Sequence, residues 1–288
     1  MELNRVECVL DAKAILGEGA LWSAAERALW FVDIESDRLH RLDTLNGLHR
    51  VWPAPLKPGF IAPRKGGGFV VGAYAGLHDF DPVTGSFALR ESVEADLPGN
   101  RINDGHVDAR GRLWFGTMDD VHKAPSGALY RYDSRGLVRC DDGYVITNGP
   151  AFCAQTSRLF HTDTLGKTIY VFDVDGAGDL SNKRVFARVE RGNPDGMAVD
   201  AEGCLWSALY GGWGLHRYDP SGALLCHLAL PCANVTKLAF GGDDLRTIYA
   251  TTARAGLSVA DLAEQPLAGG LFRVRVDVSG LPQAAFDG

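Results

Sequence analysis

The chain has 288 residues, of which 46% are hydrophobic and 23% are charged, as in an ordinary soluble globular protein. Its 29 basic and 36 acidic side chains give a formal net charge of −7, so we expect neither nucleic acid nor a membrane as a partner. No apolar run approaches the roughly 18 residues that a membrane-spanning helix needs. The charged start at residues 1–7 is unlike a signal peptide, and the six cysteines include no CxxC pair, so we expect a cytoplasmic protein with reduced thiols.

Short aromatic and β-branched runs between glycines predict strands along the whole chain, and the lack of a long helical period predicts little helix. One aromatic residue recurs at spacings of 39, 45, 46, 46 and 43 residues. The six positions are Trp30, Phe69, Trp114, Phe160, Trp206 and Tyr249. The strands that follow them are Leu39–Asp43, Leu77–Asp81, Leu129–Asp133, Ile169–Asp173, Leu215–Asp219 and Leu271–Arg275.

A period of about 45 residues that consists only of strands predicts four-stranded blades arranged around an axis. Six copies predict an all-β, six-bladed β-propeller that takes up residues 1–288 as a single domain, because a lone blade cannot cover both of its faces. We expect the segment near Arg5–Val9 to add the outer strand of the last blade. This strand would close the ring and cover its exposed edge.

Four oxygen-bearing side chains occupy one position in four of the blades, 11 or 12 residues before the recurring aromatic. They are Glu18, Asn103, Asn148 and Asp195. The two remaining blades have Pro58 with Gly59, and Lys237, at this offset. Because the inner strands of a propeller all begin at one end of the central channel, these residues are predicted to converge at the channel mouth.

Asn and Asp before glycine are also ordinary turn residues, and turn formation is an adequate explanation for any one of these positions alone. It does not explain Glu18, since Glu is not a favoured turn residue, nor Arg101 two residues before Asn103. Two carboxylates and an amide at a channel mouth predict instead an oxygen-ligated site for one divalent metal ion. Ca²⁺, Mg²⁺, Mn²⁺ and Zn²⁺ all accept such ligands.

Other polar positions are less specific. Three histidines share a register that Tyr and Phe fill in the other blades, which indicates strand packing: His40, His78 and His216. Asp119 and Asp120 follow a predicted strand, and either a solvated turn or a place at the site fits them. Lys237 at the mouth would either meet an anionic product or neutralise the carboxylates.

At these residues the sequence resembles the family of senescence marker protein (regucalcin), gluconolactonase and luciferin-regenerating enzyme, over nearly the whole chain. The segments that carry the resemblance are Leu16–Gly19, Arg101–Gly105, Gly116–Met118, Thr147–Gly149, Pro194–Met197 and Gly269–Phe272. It implies a six-bladed propeller in which Glu18, Asn148 and Asp195 hold one divalent metal ion. It also implies substrate contacts from Arg101 and Asn103.

Members of this family are mostly lactonases that act on aldonolactones with Ca²⁺, Zn²⁺, Mn²⁺ or Mg²⁺, and some bacterial sugar lactonases resemble iron(II) proteins. The family often has a Glu just after the Gly-Thr-Met segment, in contact with sugar hydroxyls. Here Asp119, Asp120 and Val121 stand in its place. Asp119 and Asp120 are therefore the candidates for this substrate contact.

The sequence thus predicts metal-dependent hydrolysis of a sugar lactone, with a divalent ion as Lewis acid on the carbonyl and Asp195 as candidate general base. The alternatives are a calcium-binding regulatory protein without turnover, a protein-interaction scaffold, and a metal-dependent phosphoester or organophosphate hydrolase. Neutral mouth loops predict an uncharged sugar. We expect a monomer or a weak homo-oligomer.

Overall fold

The computed structural model describes residues 3–288, which form 24 β-strands and one short α-helix. The N-terminal strand is β1 (Val6–Leu10). The strands of the first three repeats are β2 (Gly17–Ser23), β3 (Ala28–Asp33), β4 (Arg38–Asp43), β5 (His49–Pro53), β6 (Phe60–Pro63), β7 (Phe69–Ala73), β8 (Gly76–Asp81), β9 (Ser86–Ser92), β10 (Asn100–Val107), β11 (Leu113–Asp119), β12 (Gly127–Asp133) and β13 (Gly136–Tyr144). Those of the last three are β14 (Thr147–Cys153), β15 (Arg158–Asp163), β16 (Thr168–Val174), β17 (Leu180–Arg188), β18 (Asn193–Val199), β19 (Leu205–Tyr210), β20 (Gly214–Tyr218), β21 (Leu224–Ala229), β22 (Val235–Gly241), β23 (Thr247–Thr252) and β24 (Leu271–Arg275). The helical elements are a 3₁₀ turn (Ile34–Ser36) and α1 (Val259–Glu264).

The strands form six antiparallel sheets of four strands each, and the predicted six-bladed β-propeller is confirmed. Sheets one to five follow chain order as β2–β5, β6–β9, β10–β13, β14–β17 and β18–β21. The inner strands β2, β6, β10, β14, β18 and β22 pack side by side around the axis, and β22 returns to β2. No helix in residues 3–288 is long and apolar enough to cross a membrane.

The sixth sheet joins the two ends of the chain. Its order is β22, β23, β24 and β1, so the N-terminal strand is its outer strand, as predicted. Val6 pairs with Val274 and Cys8 with Phe272 in antiparallel register. This pairing closes the ring and leaves β24 without a free edge.

The recurring aromatic residue lies in the second strand of each sheet, where it packs against the neighbouring sheet. Trp30 is fully buried, and its ring centroid lies 4.6 Å from that of Phe69 in the next sheet. An acidic residue from the preceding turn holds the indole nitrogen in three repeats. Trp114 Nε1 donates to Asp108 at 2.8 Å, and Trp206 Nε1 to Asp200 at 2.9 Å. The aspartates of the Asp108–Gly111 and Asp200–Gly203 turns therefore fasten the blades.

The shared register of His40, His78 and His216 on the third strands is strand packing, as predicted. His40 is paired with Phe31 and stacks on it with ring centroids 4.5 Å apart. Tyr130 stacks in the same way on Phe115 at 5.4 Å. All of these pairs are part of the blade cores.

The C-terminal segment crosses the end of the channel at which the inner strands finish. Gly280 is bridged to Asp200, and Phe286 to Arg64 just beyond β6. Between these two anchors, residues 281–284 line a cavity of about 230 Å³ in the channel, together with inner-strand side chains such as Phe60. The C-terminal segment thus covers this end of the channel, opposite the mouth at which the inner strands begin.

Candidate functional site

The site forms where the inner strands begin, and a shared backbone irregularity creates it. Five of the six inner strands shift register near their first residues, at Glu18, Ile102, Asn148, Pro194 and Val235. Such β-bulges redirect side chains that would otherwise alternate between the two sheet faces. The predicted mouth residues therefore lie within strands at bulges, and the explanation by ordinary turns is wrong for all four.

A glycine beside the bulge allows the inner strands to approach each other closely. Gly149 has a φ of +33°, and a Cβ there would lie 2.7 Å from the backbone nitrogen of Met197 in the next strand. A larger residue would therefore push β14 away from β18. The glycine of this Asn-Gly pair is required because the inner strands lie close together at the axis, and not because the chain forms a hairpin there.

Glu18 on β2 and Asp195 on β18 form a buried carboxyl pair, although β22 lies between these two strands on the ring. Both side chains are about 4% exposed, and the two groups are close enough to share a hydrogen bond. Burial, with the nearby Asp104 carboxylate, raises the pKa of Glu18 to about 7. Burial and the charges of Glu18 and Asp104 raise the pKa of Asp195 well above its usual range. Without a cation, the pair is therefore partly protonated near neutral pH.

Two further charged groups lie directly behind this pair. The Lys237 Nζ atom is 2.5 Å from Asp104 Oδ2, and both side chains are buried. Asp104 also accepts hydrogen bonds from the backbone N–H groups of Gly105 at 2.7 Å and Gly149 at 2.8 Å. Lys237 thus neutralises a carboxylate of the mouth, one of the two roles left open for it.

The two asparagines are joined in one hydrogen-bonded chain. Asn103 Nδ2 donates to Asn148 Oδ1 at 3.0 Å and to the Thr147 carbonyl at 2.7 Å. Asn148 Nδ2 donates to Thr164 Oγ1 at 3.0 Å. Because Thr164 holds the amide nitrogen, the Asn148 oxygen is the atom turned toward the other site residues.

Arg101 continues this chain toward the rim of the mouth. Its guanidinium donates to Asn103 Oδ1 at 2.7 Å and to Asp120 Oδ1 at 2.8 Å. Asp120 is also paired with Lys57, whose Nζ atom lies 2.7 Å from Asp120 Oδ2. Arg101 is only 4% exposed, so this network fixes its side chain before any ligand arrives.

The neighbouring Asp119 is held by its own loop. Asp119 Oδ2 accepts from the backbone N–H groups of Lys123 and Ala124, both at 2.7 Å. Asp33 does the same at the end of β3, where it binds the N–H groups of Ile15 and Leu16. Of the two candidates, Asp120 is therefore the one whose carboxylate joins the Arg101 network.

Comparison with known proteins identifies the family of this chain. The family description "SMP-30/Gluconolactonase/LRE-like region" matches residues 16–254. The chain belongs to this family. A 6-deoxy-6-sulfogluconolactonase of Pseudomonas putida is 36% identical over 98% of this chain and 99% of its own length. An L-arabinolactonase of Azospirillum brasilense is 34% identical over 96% and 94%. A crystal structure of a calcium-binding protein, regucalcin, from Agrobacterium tumefaciens superposes with a TM-score of 0.94, at 27% identity over 98% and 97%.

The residues present fit a divalent cation of the kind that this family's site implies. Asp195 Oδ1 is buried and has no hydrogen-bond partner within residues 3–288, beside a second carboxylate that repels it. In that same part of the chain, no group of three or more His, Cys, Asp or Glu side chains is arranged to hold a metal ion. The proposed ligand set consists instead of two carboxylates and the Asn148 amide oxygen, which are hard oxygen donors.

Sequence reasoning did not assign a role to Asp104, Lys57 or Thr164. Asp104 precedes Gly105, and an Asp-Gly pair is typical of a turn. In the structure, however, Asp104 is fully buried in β10. Lys57 directly precedes Pro58, which was placed at the mouth offset. The spacing of the repeats therefore indicates that Lys57 lies near the mouth. Thr164 had no such signal, because only its contact with Asn148 reveals it.

Proposed function

We propose that this protein hydrolyses a sugar lactone to the corresponding aldonic acid in a metal-dependent reaction. The observation that carries the proposal is the buried Glu18–Asp195 carboxyl pair near the start of the inner strands, in which Asp195 Oδ1 has no hydrogen-bond partner within residues 3–288. Its P. putida and A. brasilense relatives are both named as lactonases and are similar to this chain over nearly its full length, which supports the same reaction.

Glu18, Asn148 and Asp195 are the residues that would hold the metal ion. Ca²⁺, Zn²⁺, Mn²⁺, Mg²⁺ and Fe²⁺ are the candidates for it. A divalent ion bound there supplies Lewis-acid chemistry for a lactone carbonyl. The two carboxylates balance its charge, and the ion would offset the burial and the nearby negative charges that raise the pKa values of both groups.

Asp195 is the candidate general base, because its Oδ1 atom has no hydrogen-bond partner among residues 3–288 and its carboxylate would lose the shared proton once a cation is bound. Asn103 and Arg101 are positioned to bind the ring oxygens and hydroxyl groups of the sugar. Their hydrogen bonds to Asn148 and Asp120 fix them in advance, which lowers the entropy cost of orienting the substrate. Asp120 completes the proposed substrate contact.

A calcium-binding regulatory protein is the second candidate. The structurally similar A. tumefaciens protein, which is described as calcium-binding, favours it. Both candidates use the same oxygen ligands. They differ in whether a lactone is turned over.

The deciding experiment measures acid release at pH 7 from a panel of aldono-1,4- and 1,5-lactones, including a 6-sulfonated one. The protein is first treated with a chelator and then given Ca²⁺, Mg²⁺, Mn²⁺, Zn²⁺ or Fe²⁺ in turn, and spontaneous ring opening is subtracted. We expect turnover of one lactone that disappears on chelation and returns with the metal. Tight calcium binding without turnover of any lactone would favour the regulatory protein.

A further inference from the structure

A buried ion pair near the axis joins opposite sides of the ring. Asp104 lies on β10 in the third sheet and Lys237 on β22 in the sixth. In a ring of six sheets these two face each other across the channel. Their ion pair at 2.5 Å, with side chains 0% and 7% exposed, therefore spans the channel beside the carboxyl pair. Desolvating two charges is costly, so a purely stabilising role is a weak explanation for it.

Asp104 also fixes the backbone that carries a proposed metal ligand. Asp104 Oδ2, the oxygen that meets Lys237, accepts the N–H of Gly149 at 2.8 Å. Gly149 directly follows Asn148, so this contact sets where β14 begins relative to β10. The Asp104 carboxylate on β10 thus helps to hold Asn148 in place on the neighbouring strand β14.

The pair also sets the net charge of the site. Glu18, Asp104 and Asp195 carry three negative charges when ionised, and Lys237 carries one positive charge. The ionised cluster has a net charge of −2, which is the complement of a divalent ion.

We propose that Asp104 and Lys237 are positioning residues of the metal centre. Asp104 anchors the strand of Asn148 and adds a negative charge beside the ligands, and Lys237 reduces the cluster charge to that of a divalent site. This inference rests on the proposed metal-dependent function. If it is correct, the two members of one ion pair have opposite effects on metal binding. A merely structural pair would weaken binding whichever member is removed.

The test measures Ca²⁺ and Tb³⁺ affinity of the chelator-treated protein by calorimetry at pH 7 and fixed ionic strength, without substrate. We expect Asp104→Asn to weaken Ca²⁺ binding by at least about tenfold, because a negative charge is lost near the ion. Lys237→Met should strengthen Ca²⁺ binding by at least about threefold, and Tb³⁺ binding by more, although it lowers the unfolding temperature of the metal-free protein.

Two matched variants complete the design. Lys237→Arg keeps the charge and should bind Ca²⁺ as the wild type does. The double variant Asp104→Asn/Lys237→Met removes both charges and should return Ca²⁺ affinity to within about threefold of the wild type. Weaker Ca²⁺ binding in both single variants, with an unchanged Tb³⁺-to-Ca²⁺ ratio, would overturn the inference. Wild-type protein that binds no divalent ion would instead overturn the proposed function on which it rests.

Discussion

The carboxyl pair at the mouth places two like charges in a dry environment, where only a cation or a proton makes their closeness tolerable. Glu18 and Asp195 are both about 4% exposed, and burial is the first cause of the raised pKa of each. Such an arrangement reduces the stability of the free protein and is typical of a site that binds a ligand.

We therefore expect Asp195→Asn and Glu18→Gln each to lower lactone turnover by at least about 100-fold, because each removes a ligand charge and the first also removes the general base. Unfolding should stay cooperative, since both amides fit the same space. Glu202→Gln, which changes an exposed carboxylate in the turn between β18 and β19, is the control and should retain full activity. Activity within about threefold of wild type in Asp195→Asn would exclude the mechanism.

His161 supplies a pH test away from the mouth. It is fully buried, neither ring nitrogen has a partner within residues 3–288, and burial lowers its pKa to about 3 from an ordinary value of 6.5. Between these two values the unfolded chain binds a proton that the folded chain does not. The free energy of unfolding therefore falls as the pH drops below 6.5, by about 2 kcal/mol between pH 7 and pH 5 for this one group.

His161→Phe should remove this contribution. Phe31 and Phe115 occupy the same position of the repeat, directly after the recurring aromatic, so the ring fits a blade core. Urea unfolding at pH 7 and pH 5 should show that the variant loses about 2 kcal/mol less than the wild type over this interval. Between pH 7.5 and 8.5 the difference between the two proteins should be constant. Equal acid losses in both proteins would contradict the assignment.

At the scale of single elements, the short strand β1 completes the sixth sheet. Five residues supply the fourth strand of the sixth sheet and join it to the start of the chain. Without this strand, the main-chain groups of β24 would be exposed along an open edge, and the first and last sheets would lose their link.

A chain that begins at Asp11 should therefore unfold at a lower temperature and aggregate, whereas one that begins at Arg5 keeps the whole strand and should stay close to wild type. Thermal unfolding and light scattering at matched concentration measure both effects. Addition of a peptide with the sequence of residues 3–10 should restore part of the lost stability by pairing with β24. A chain from Asp11 with wild-type stability would show that the ring does not depend on this pairing.

Across the whole molecule, the C-terminal segment ties distant parts of the ring together. Phe286 is 1% exposed and packs with residues of the second and third sheets, among them Phe60 and Phe115. Its N–H donates to the Pro63 carbonyl at 2.8 Å, and the Asp287 N–H to the Gly111 carbonyl at 3.0 Å. The segment thus holds the second and third sheets together at the covered end of the channel, which is the end opposite the site.

Phe286→Ala should lower the free energy of unfolding by about 3 to 5 kcal/mol, the usual cost of the cavity that a deleted buried ring leaves. Lys65→Met, which breaks the exposed ion pair between Lys65 and Asp287 in the same region, should cost less than about 1 kcal/mol. Urea denaturation of the two variants makes the comparison. Equal and small losses would mean that the segment does not hold the ring together.

The repeat determined much of this protein by itself. A blade cannot exist without its neighbours, so the period near 45 residues sets the blade number, the second and third strands of each sheet and the outer position of β1. The same regularity placed Glu18, Asn103, Asn148 and Asp195 at one end of the channel, because a repeated offset in sequence is a repeated place in space. The ligand roles of these residues stay predictions.

The tertiary structure decided what the repeat cannot encode. Asp104 and Lys237 meet across the axis although they are 133 residues apart, and no local pattern specifies such a contact. Asp119 and Asp120 are adjacent in sequence, but one carboxylate binds its own loop and the other the Arg101 network. The C-terminal segment has no counterpart in the repeats, so its course across the channel also appears only in the fold. The sequence period shows the features that all blades share. The contacts of the site at the axis depend on residues that differ between blades, and only the fold shows which of them meet.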